Sequence, residues 1–558
     1  MRLTRKEILF ICCLYLVCVA IRLLPRLAIH PQLLTFDADI WYRLCLAQYV
    51  LENGRPPQWD IRYLAYGHVP FWYTPGALYI YAFLAKLTSL DLPTVTSRIM
   101  PWIEATAIVP FFVLCRYLYS ARVAVIASVF LAFTPAFVFW SAIGTPQGFS
   151  MFCIPLGILL WVTFLRGQYL GGRRLLHFFA LALLLTINFA THLTYFNHII
   201  ILLLVHWSLI VEKKGRWKDY GWLIGAILLS QIATMWWWLP GKLYWWWTQG
   251  LSTSTASADR MIFFKHYGTV SGLLGHVAFF FLVYFIFRRK HKAELFYLLP
   301  VFWAIYPIIE SHMEGLLIVF QKQDLSFNNL VRPIEGFRFY SFLAQPLALC
   351  AALTCEQFLR SRWIAGAGRR VGKAAAVTVV LLAALLTTDL YAGFKINERF
   401  RAHWVTVNDI NSARWFRENT PADARMVADY YTAQMISGVC AGKALLGSMF
   451  PLKGAGIPHI SDSWKVLYDI HKIYQSEDIA MVRTILNRYG VTHVFYSDAV
   501  LRKIEWVLNG YGDHEGLLAG KYDGLLAVDH HKTLLNPAYF EVVYESQDVK
   551  ILALREPR

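Results

Sequence analysis

The chain has 558 residues, of which 57% are hydrophobic and only 16% charged, and its mean hydropathy is +0.43. Soluble domains carry roughly 45–50% apolar and about 25% charged residues, so this composition excludes a soluble globular protein and specifies a polytopic α-helical membrane protein. The formal net charge of +17 would suit a nucleic-acid partner, but the basic residues form short clusters between apolar runs, which orientation in a bilayer explains and nucleic acid does not.

Arg2, Arg5 and Lys6 precede the first apolar run without a small-residue cleavage site, so the first span is expected to stay as an anchor. A bilayer core about 30 Å thick needs about 20 mostly apolar residues per helix. Spans are expected near 8–28, 99–116, 123–141, 149–165, 176–192, 195–211, 220–240, 273–287, 294–310, 338–359 and 374–394, about 11 in all. The apolar stretch 71–90 is ambiguous by length, and charge decides it. If it does not cross, Arg116/Arg122, Arg166/Arg173/Arg174, Lys213/Lys214/Arg216/Lys218 and the clusters in 288–292 and 360–373 all fall on the side of the basic N-terminus. That satisfies the positive-inside rule, so 71–90 is read as an interfacial or re-entrant element. The N-terminus is then cytoplasmic, and the long first loop 29–98 and everything after about 395 lie on the extracytoplasmic face.

Nine cysteines show no paired spacing, and most lie in or beside apolar spans; they read as inert core residues. Two tryptophan triplets, Trp236–Trp238 and Trp245–Trp247, straddle the expected outer end of the seventh span, as an interfacial belt would, with stacking on a sugar ring as the alternative. From about 395 the composition becomes that of a soluble domain. Helices are expected at 408–419 and 478–489, strands at 424–430 and 491–496, and a terminal hairpin at 540–545 with 549–554. The division is thus 1–394, a membrane domain, and 395–558, an extracytoplasmic α/β domain long enough for its own core.

The chemistry is expected on the outer face, because the inner loops are short and basic. Asp37 and Asp39 precede a helical pattern from Ile40 to Leu51 that ends at Glu52-Asn53-Gly54. Either carboxylate suits an N-cap, a general base or a ligand for a hard cation such as Mg or Mn. Arg338 opens the tenth span and Arg332 lies six residues before it; a guanidinium there grips a phosphate with two parallel bonds, or merely reaches to the interface. Arg22 and Arg26 read as interfacial side chains of the latter kind. His192 and His198 flank a short turn, without a third ligand at metal-site spacing. Glu310, His312, Glu314 and Glu335 gather around the 311–337 loop, where Glu310 or Glu314 offers a possible second acid. Walker, GxSxG and HExxH motifs are missing, which argues against an ATPase, a common hydrolase or a zinc protease.

Phe36-Asp37, Trp41-Tyr42-Arg43, Tyr49 to Gly54 and Tyr73-Thr74-Pro75-Gly76 resemble the first external loop of the catalytic subunits of oligosaccharyltransferase, which are GT-C membrane glycosyltransferases using polyprenyl-linked donors. The segment from Trp415 to Arg425 and Tyr489-Gly490-Val491-Thr492-His493-Val494 are similar to that family's C-terminal domain. The resemblance implies that Asp37 is the first-loop acid and that Arg338 lies near the donor diphosphate. It also marks departures. Where the family has a second acidic metal motif, this chain has Ile143-Gly144-Thr145-Pro146-Gln147-Gly148-Phe149, and where it has WWDYG, this chain has Asp429-Tyr430-Tyr431. The expected enzyme is therefore an integral-membrane transferase that moves a sugar or glycan from a polyprenyl phosphate or diphosphate to a glycan, lipid or protein acceptor. Asp37 serves as base, with Asp39 as helper, and Arg338, His192 and Arg332 hold the donor phosphate. A divalent cation is an optional cofactor, with Asp37 its ligand. A non-catalytic subunit that binds lipid-linked glycans and a lipid-glycan transporter are the alternatives.

Overall fold

Helix α1 (Arg5–Leu24) is apolar along its length except at its ends, and opens a bundle of apolar helices. The computed structural model describes residues 3–24, 38–58, 71, 74–142, 144–166, 172–192, 194–249, 279–284, 286, 296–319, 339–359, 407–440, 445–446, 463–509, 521 and 533–555. The expected span 374–394 and most of 273–287 lie outside these residues. After α1 come α2 (Ala38–Asn53) and α3 (Pro75–Thr88). The helical stretch α4 (Leu92–Leu118) includes a π-helical turn at Val95–Ile99. Next are α5 (Ala121–Phe133) and the short α6 (Pro135–Trp140), parted at Thr134, whose extended backbone precedes a proline that disfavours helix there. The bundle continues with α7 (Pro146–Arg166), α8 (Gly172–Thr191), α9 (Tyr195–Val211), α10 (Tyr220–Gln249), α11 (Leu298–Val319) and α12 (Phe339–Leu359). Among the described residues, four of these stretches are long and apolar enough to cross a membrane: 92–118, 146–166, 174–191 and 217–240.

Two bundle helices run beyond their expected ends. The loop expected from 311 begins later, because α11 continues through the apolar Leu316-Leu317-Ile318-Val319, so Glu310, His312 and Glu314 stand on a helix. Helix α10 likewise runs through Pro240 and the second tryptophan triplet instead of ending between the two. Element α3 has 14 residues, a rise of about 21 Å, short of the ~30 Å hydrocarbon core.

Ion pairs gather one set of helix ends together. Arg116 Nε lies 2.6 Å from Glu7 Oε1, Arg122 lies 3.6 Å from Glu356, and Arg174 lies 3.5 Å from Asp219. Glu212 accepts the Leu298 amide at 2.7 Å and Lys214 at 3.2 Å, and Arg166 lies over the Tyr117 and Phe296 rings. Among the described residues, Arg116, Arg122, Arg166, Arg174, Lys214 and Arg216, which help set the expected orientation, thus sit at one end of the bundle, each beside an acid or an aromatic face. Phe111, Trp161, Leu185, Tyr195 and Trp303 fill the bundle core.

The C-terminal part contains α13 (Val407–Asn419), β1 (Met426–Val427), α14 (Tyr430–Val439), β2 (Leu445–Leu446), α15 (Ser463–Gln475), α16 (Ile479–Arg488), β3 (His493–Ser497), α17 (Asp498–Asn509), β4 (Phe540–Ser546) and β5 (Val549–Leu554). The sheet order is β2-β1-β3-β5-β4, parallel through β2, β1 and β3 and antiparallel from β3 to β5 and β4. The expected helices at 408–419 and 478–489 and the terminal hairpin are present. The expected strand 424–430 is reduced to two residues, since Asp429 caps a helix with bonds to the Tyr431 and Thr432 amides. This part does not keep its core to itself. Ile40, Trp41, Leu78, Tyr81 and Val95 from the first loop share one buried apolar cluster with Phe416, Ile436, Tyr474, Val494 and Leu552.

Candidate functional site

Among the residues singled out from the sequence, Arg26, Asp37, Arg332, Glu335 and Arg338 lie outside the described residues. Asp39 stands in the first turn of α2, one step inside the helix rather than at its cap. Helix α2 ends at Gly54, whose φ of +70° suits glycine and whose amide bonds Val50 O at 2.8 Å. It packs against α3 and α14. Helix α3 is in turn fastened to the end of α8: Thr74 Oγ1 donates to Thr191 O at 2.8 Å, and a Cβ at Gly76 would come within 2.7 Å of Ala190 O. The helix that carries Asp39 is thereby tied to the bundle end at which His192 stands, opposite the ion-paired end.

His192 is buried, 7% exposed. Its Nδ1 accepts the Thr194 amide at 3.2 Å and lies 3.0 Å from Thr194 Oγ1. His198 is fully buried and faces inward, its Nδ1 3.0 Å from Asn188 Nδ2. The two histidines therefore do not converge on one point, and among the described residues no group of three His, Cys, Asp or Glu side chains is placed to share a metal ion. Helix α11 brings its acids to the same end as His192. Its start is held at the opposite end by the bond from Leu298 to Glu212, and Tyr306 donates to Asn197 Oδ1 at 3.1 Å near the start of α9. Glu310 is one turn beyond Tyr306, and Glu314 one turn further.

A second polar centre was not visible from sequence reading. Arg22, expected at the interface, is fully buried. Its Nε and one terminal nitrogen donate to Ser141 Oγ at 2.8 and 2.6 Å, the other donates to Cys18 O at 2.6 Å, and the guanidinium lies over Phe137. Glu104, 1% exposed, acts electrostatically on Arg22. Its carboxylate rests on Gly148 in the first turn of α7, where an added Cβ would come within 2.6 Å of Glu104 Cδ and Oε2. The opening turn of a helix is a favourable place for negative charge. A signal for Glu104 existed: it is the one carboxylate in 92–118, and an ionisable group inside an apolar span is a functional candidate by default. Gly144, at φ +72°, closes the turn that leads into α7, and its carbonyl accepts Tyr81 Oη at 2.7 Å. The described donor set, one buried carboxylate beside an arginine, does not itself fit a divalent cation.

No family model matches the chain, and no curated protein does. Solved structures do. The chain is similar to the apo oligosaccharyltransferase of Archaeoglobus fulgidus, at TM-score 0.60 and 13% identity over 88% of this chain and 69% of that one. It is similar to the archaeal oligosaccharyltransferase AglB from the same organism, in complex with an inhibitory peptide and a dolichol-phosphate, at TM-score 0.59 and 13% identity over 97% and 80%. It is also similar to ArnT from Cupriavidus metallidurans bound to undecaprenyl phosphate, at TM-score 0.52 and 12% identity over 98% and 97%. At these identities the likeness is one of fold: the chain shares the fold of these structures.

Proposed function

We propose that this protein is a GT-C glycosyltransferase that moves a sugar or glycan from a polyprenyl phosphate or diphosphate to an acceptor on the extracytoplasmic face. The observation that carries the reading is agreement of fold over nearly the whole chain with structures bound to dolichol-phosphate and undecaprenyl phosphate. It is supported by the placing of Asp39, His192, Glu310 and Glu104 toward one end of the bundle. The N-terminus is cytoplasmic, residues 1–394 make about eleven spans with the first loop outside, and residues 395–558 form the extracytoplasmic domain.

In the reaction, Asp37 takes the proton from an acceptor hydroxyl as its oxygen bonds to the anomeric carbon. The bond from that carbon to the donor phosphate breaks on the opposite face, and the polyprenyl phosphate leaves with the electron pair. Its growing charge is held by Arg338 and His192, with Arg332 in support, while Asp39 assists the base and Glu310 or Glu314 supplies a second acid. General-base catalysis contributes about 10²–10⁴-fold. Asp37→Asn in the purified protein, assayed with polyprenyl-linked sugar donors, is expected to lose at least about 100-fold in rate; transfer at the wild-type rate would remove Asp37 from the mechanism. Assaying the wild type after chelation, with and without added Mg or Mn, tests whether Asp37 holds a cation as well.

A further inference from the structure

Three of the apolar spans reach the ion-paired end of the bundle on a cation or an indole. Arg166 closes the span 146–166, Arg174 opens 174–191 and Trp217 opens 217–240. Between α9 and α10, residues 212–219 form a loop that carries Lys213, Lys214, Arg216 and Lys218. The loop is firmly built: the Lys214 and Gly215 amides donate to Leu209 O at 2.7 and 3.0 Å, and the Arg216 amide donates to Asp219 Oδ2 at 3.2 Å.

Its two acids face inward. The Glu212 and Asp219 side chains are only 3% and 4% exposed. Glu212 accepts the Leu298 amide and Lys214, and Asp219 lies 3.5 Å from both Arg174 and Arg216. The cations remain outside. Lys213, Lys218 and Arg166 are exposed, and the Arg216 side chain and Trp217 are each 67% exposed. Arg166 shares the Phe296 ring with Lys214, at 4.3 and 4.0 Å from its centre. Among the described residues, Lys213, Lys218 and Arg166 form no ion pair. Six cations, Arg166, Arg174, Lys213, Lys214, Arg216 and Lys218, thus stand against two acids, a surplus of four positive charges on one small surface.

Orientation in a bilayer accounts for the basic residues, but not for the buried acids beneath them or for an indole left in the open. Acids facing outward would neutralise this surface. Turned inward, they hold the loop and leave its counter-charge to come from outside. A tryptophan at the first position of a span stands at headgroup depth, where an amphipathic ring is well placed. The counter-charge met at that depth is a lipid phosphate. We infer that the loop 212–219, with Arg166 and Arg174, is a binding site for the headgroup of an anionic phospholipid: the phosphate lies on Lys213, Arg216 and Lys218, and Trp217 enters the interface beside it. The site is at the opposite end of the bundle from His192, so it does not depend on the proposed function.

The test is native mass spectrometry of the full chain in detergent, titrated with dioleoylphosphatidylglycerol or with dioleoylphosphatidylcholine, which has the same phosphate and tails but no net charge. A basic residue near the surface strengthens association with anionic lipid by about fivefold. The wild type is expected to hold phosphatidylglycerol at least about 25-fold more tightly than phosphatidylcholine, with a preference that shrinks as salt rises. Lys213→Gln/Lys218→Gln, which breaks no ion pair among the described residues, is expected to lose about 25-fold for phosphatidylglycerol and less than about twofold for phosphatidylcholine. Arg5→Gln/Lys6→Gln removes two exposed charges from the same end of the bundle but outside the loop, and is expected to stay within about twofold of the wild type for both lipids. Trp217→Ala is expected to weaken both lipids alike, by about threefold, because the indole acts on the interface and not on the charge. If the loop variant holds phosphatidylglycerol like the wild type, or the N-terminal variant loses as much as the loop variant, the charge is diffuse and the site is wrong. If the wild type shows no preference for phosphatidylglycerol, or if inorganic phosphate displaces it at equal concentration, the loop is not a lipid site and the inference falls.

Discussion

The pair Glu104 and Gly148 shows how a single residue places a charge. Glu104 reaches Gly148 from a different helix, and the absence of a side chain at Gly148 is what admits its carboxylate. Gly148→Ala should therefore be destabilising, because the new methyl group meets a carboxylate that has little room to withdraw; overpacking of this kind costs about 1–3 kcal/mol. In a Glu104→Ala background the same substitution should cost markedly less, since the space is then vacant. Thermal unfolding of the four proteins in detergent gives the comparison, and equal costs in both backgrounds would show that the carboxylate does not occupy that space. Arg22 illustrates the complementary point. An arginine near the end of an apolar span reads as an interfacial side chain, and nothing local to it announces Ser141, 119 residues away.

At the scale of elements, the bundle helices were legible because length and hydropathy alone define a span, and the terminal hairpin because β4 and β5 are separated by a short turn with Gln547 at positive φ. Helix α14 was not. Its sequence, Tyr430-Tyr431-Thr432 after Met426-Val427-Ala428, is rich in strand-favouring types, and Asp429 overrides them by capping. That cap has a consequence in pH. Burial raises the Asp429 carboxyl above its ordinary value, with the Lys503 charge and the Thr432 and Tyr431 amides offsetting part of the shift. The unfolded chain then ionises before the folded one as pH rises. The stability held by the protonated carboxyl is present below the unfolded value, about 3.9, and is lost as pH climbs through the raised folded value. Asp429→Asn keeps the cap oxygen without the charge. Its unfolding temperature should draw ahead of the wild type as pH goes from 4 to 7, whereas a constant difference, or one that narrows, would mean that burial does not govern this group.

Across the whole molecule, the C-terminal part is locked to the membrane part through α2. Two ion pairs between them among the described residues, Arg414 with Asp91 and Arg417 with Glu52, are more than a third exposed, and exposed pairs contribute about 0–1 kcal/mol. Apolar packing carries the attachment instead. Trp41 is fully buried, and α14 approaches it so closely that a Cβ at Gly438 would come within 2.8 Å of both its ring and its carbonyl. The helix that bears Asp39 is thus held by the same contact that holds α14 and, through β1, the sheet. Trp41→Ala should cost about 3–5 kcal/mol and release both partners together. Hydrogen exchange would read this as loss of protection in α2 and in residues 426–439 alike, by about 100- to 4,000-fold at roughly 1.4 kcal/mol per tenfold. Helices α7 to α9, which pack in the separate bundle core, should keep theirs. Loss confined to α2 would mean that the sheet and α14 stand on their own and that the first loop merely rests on them.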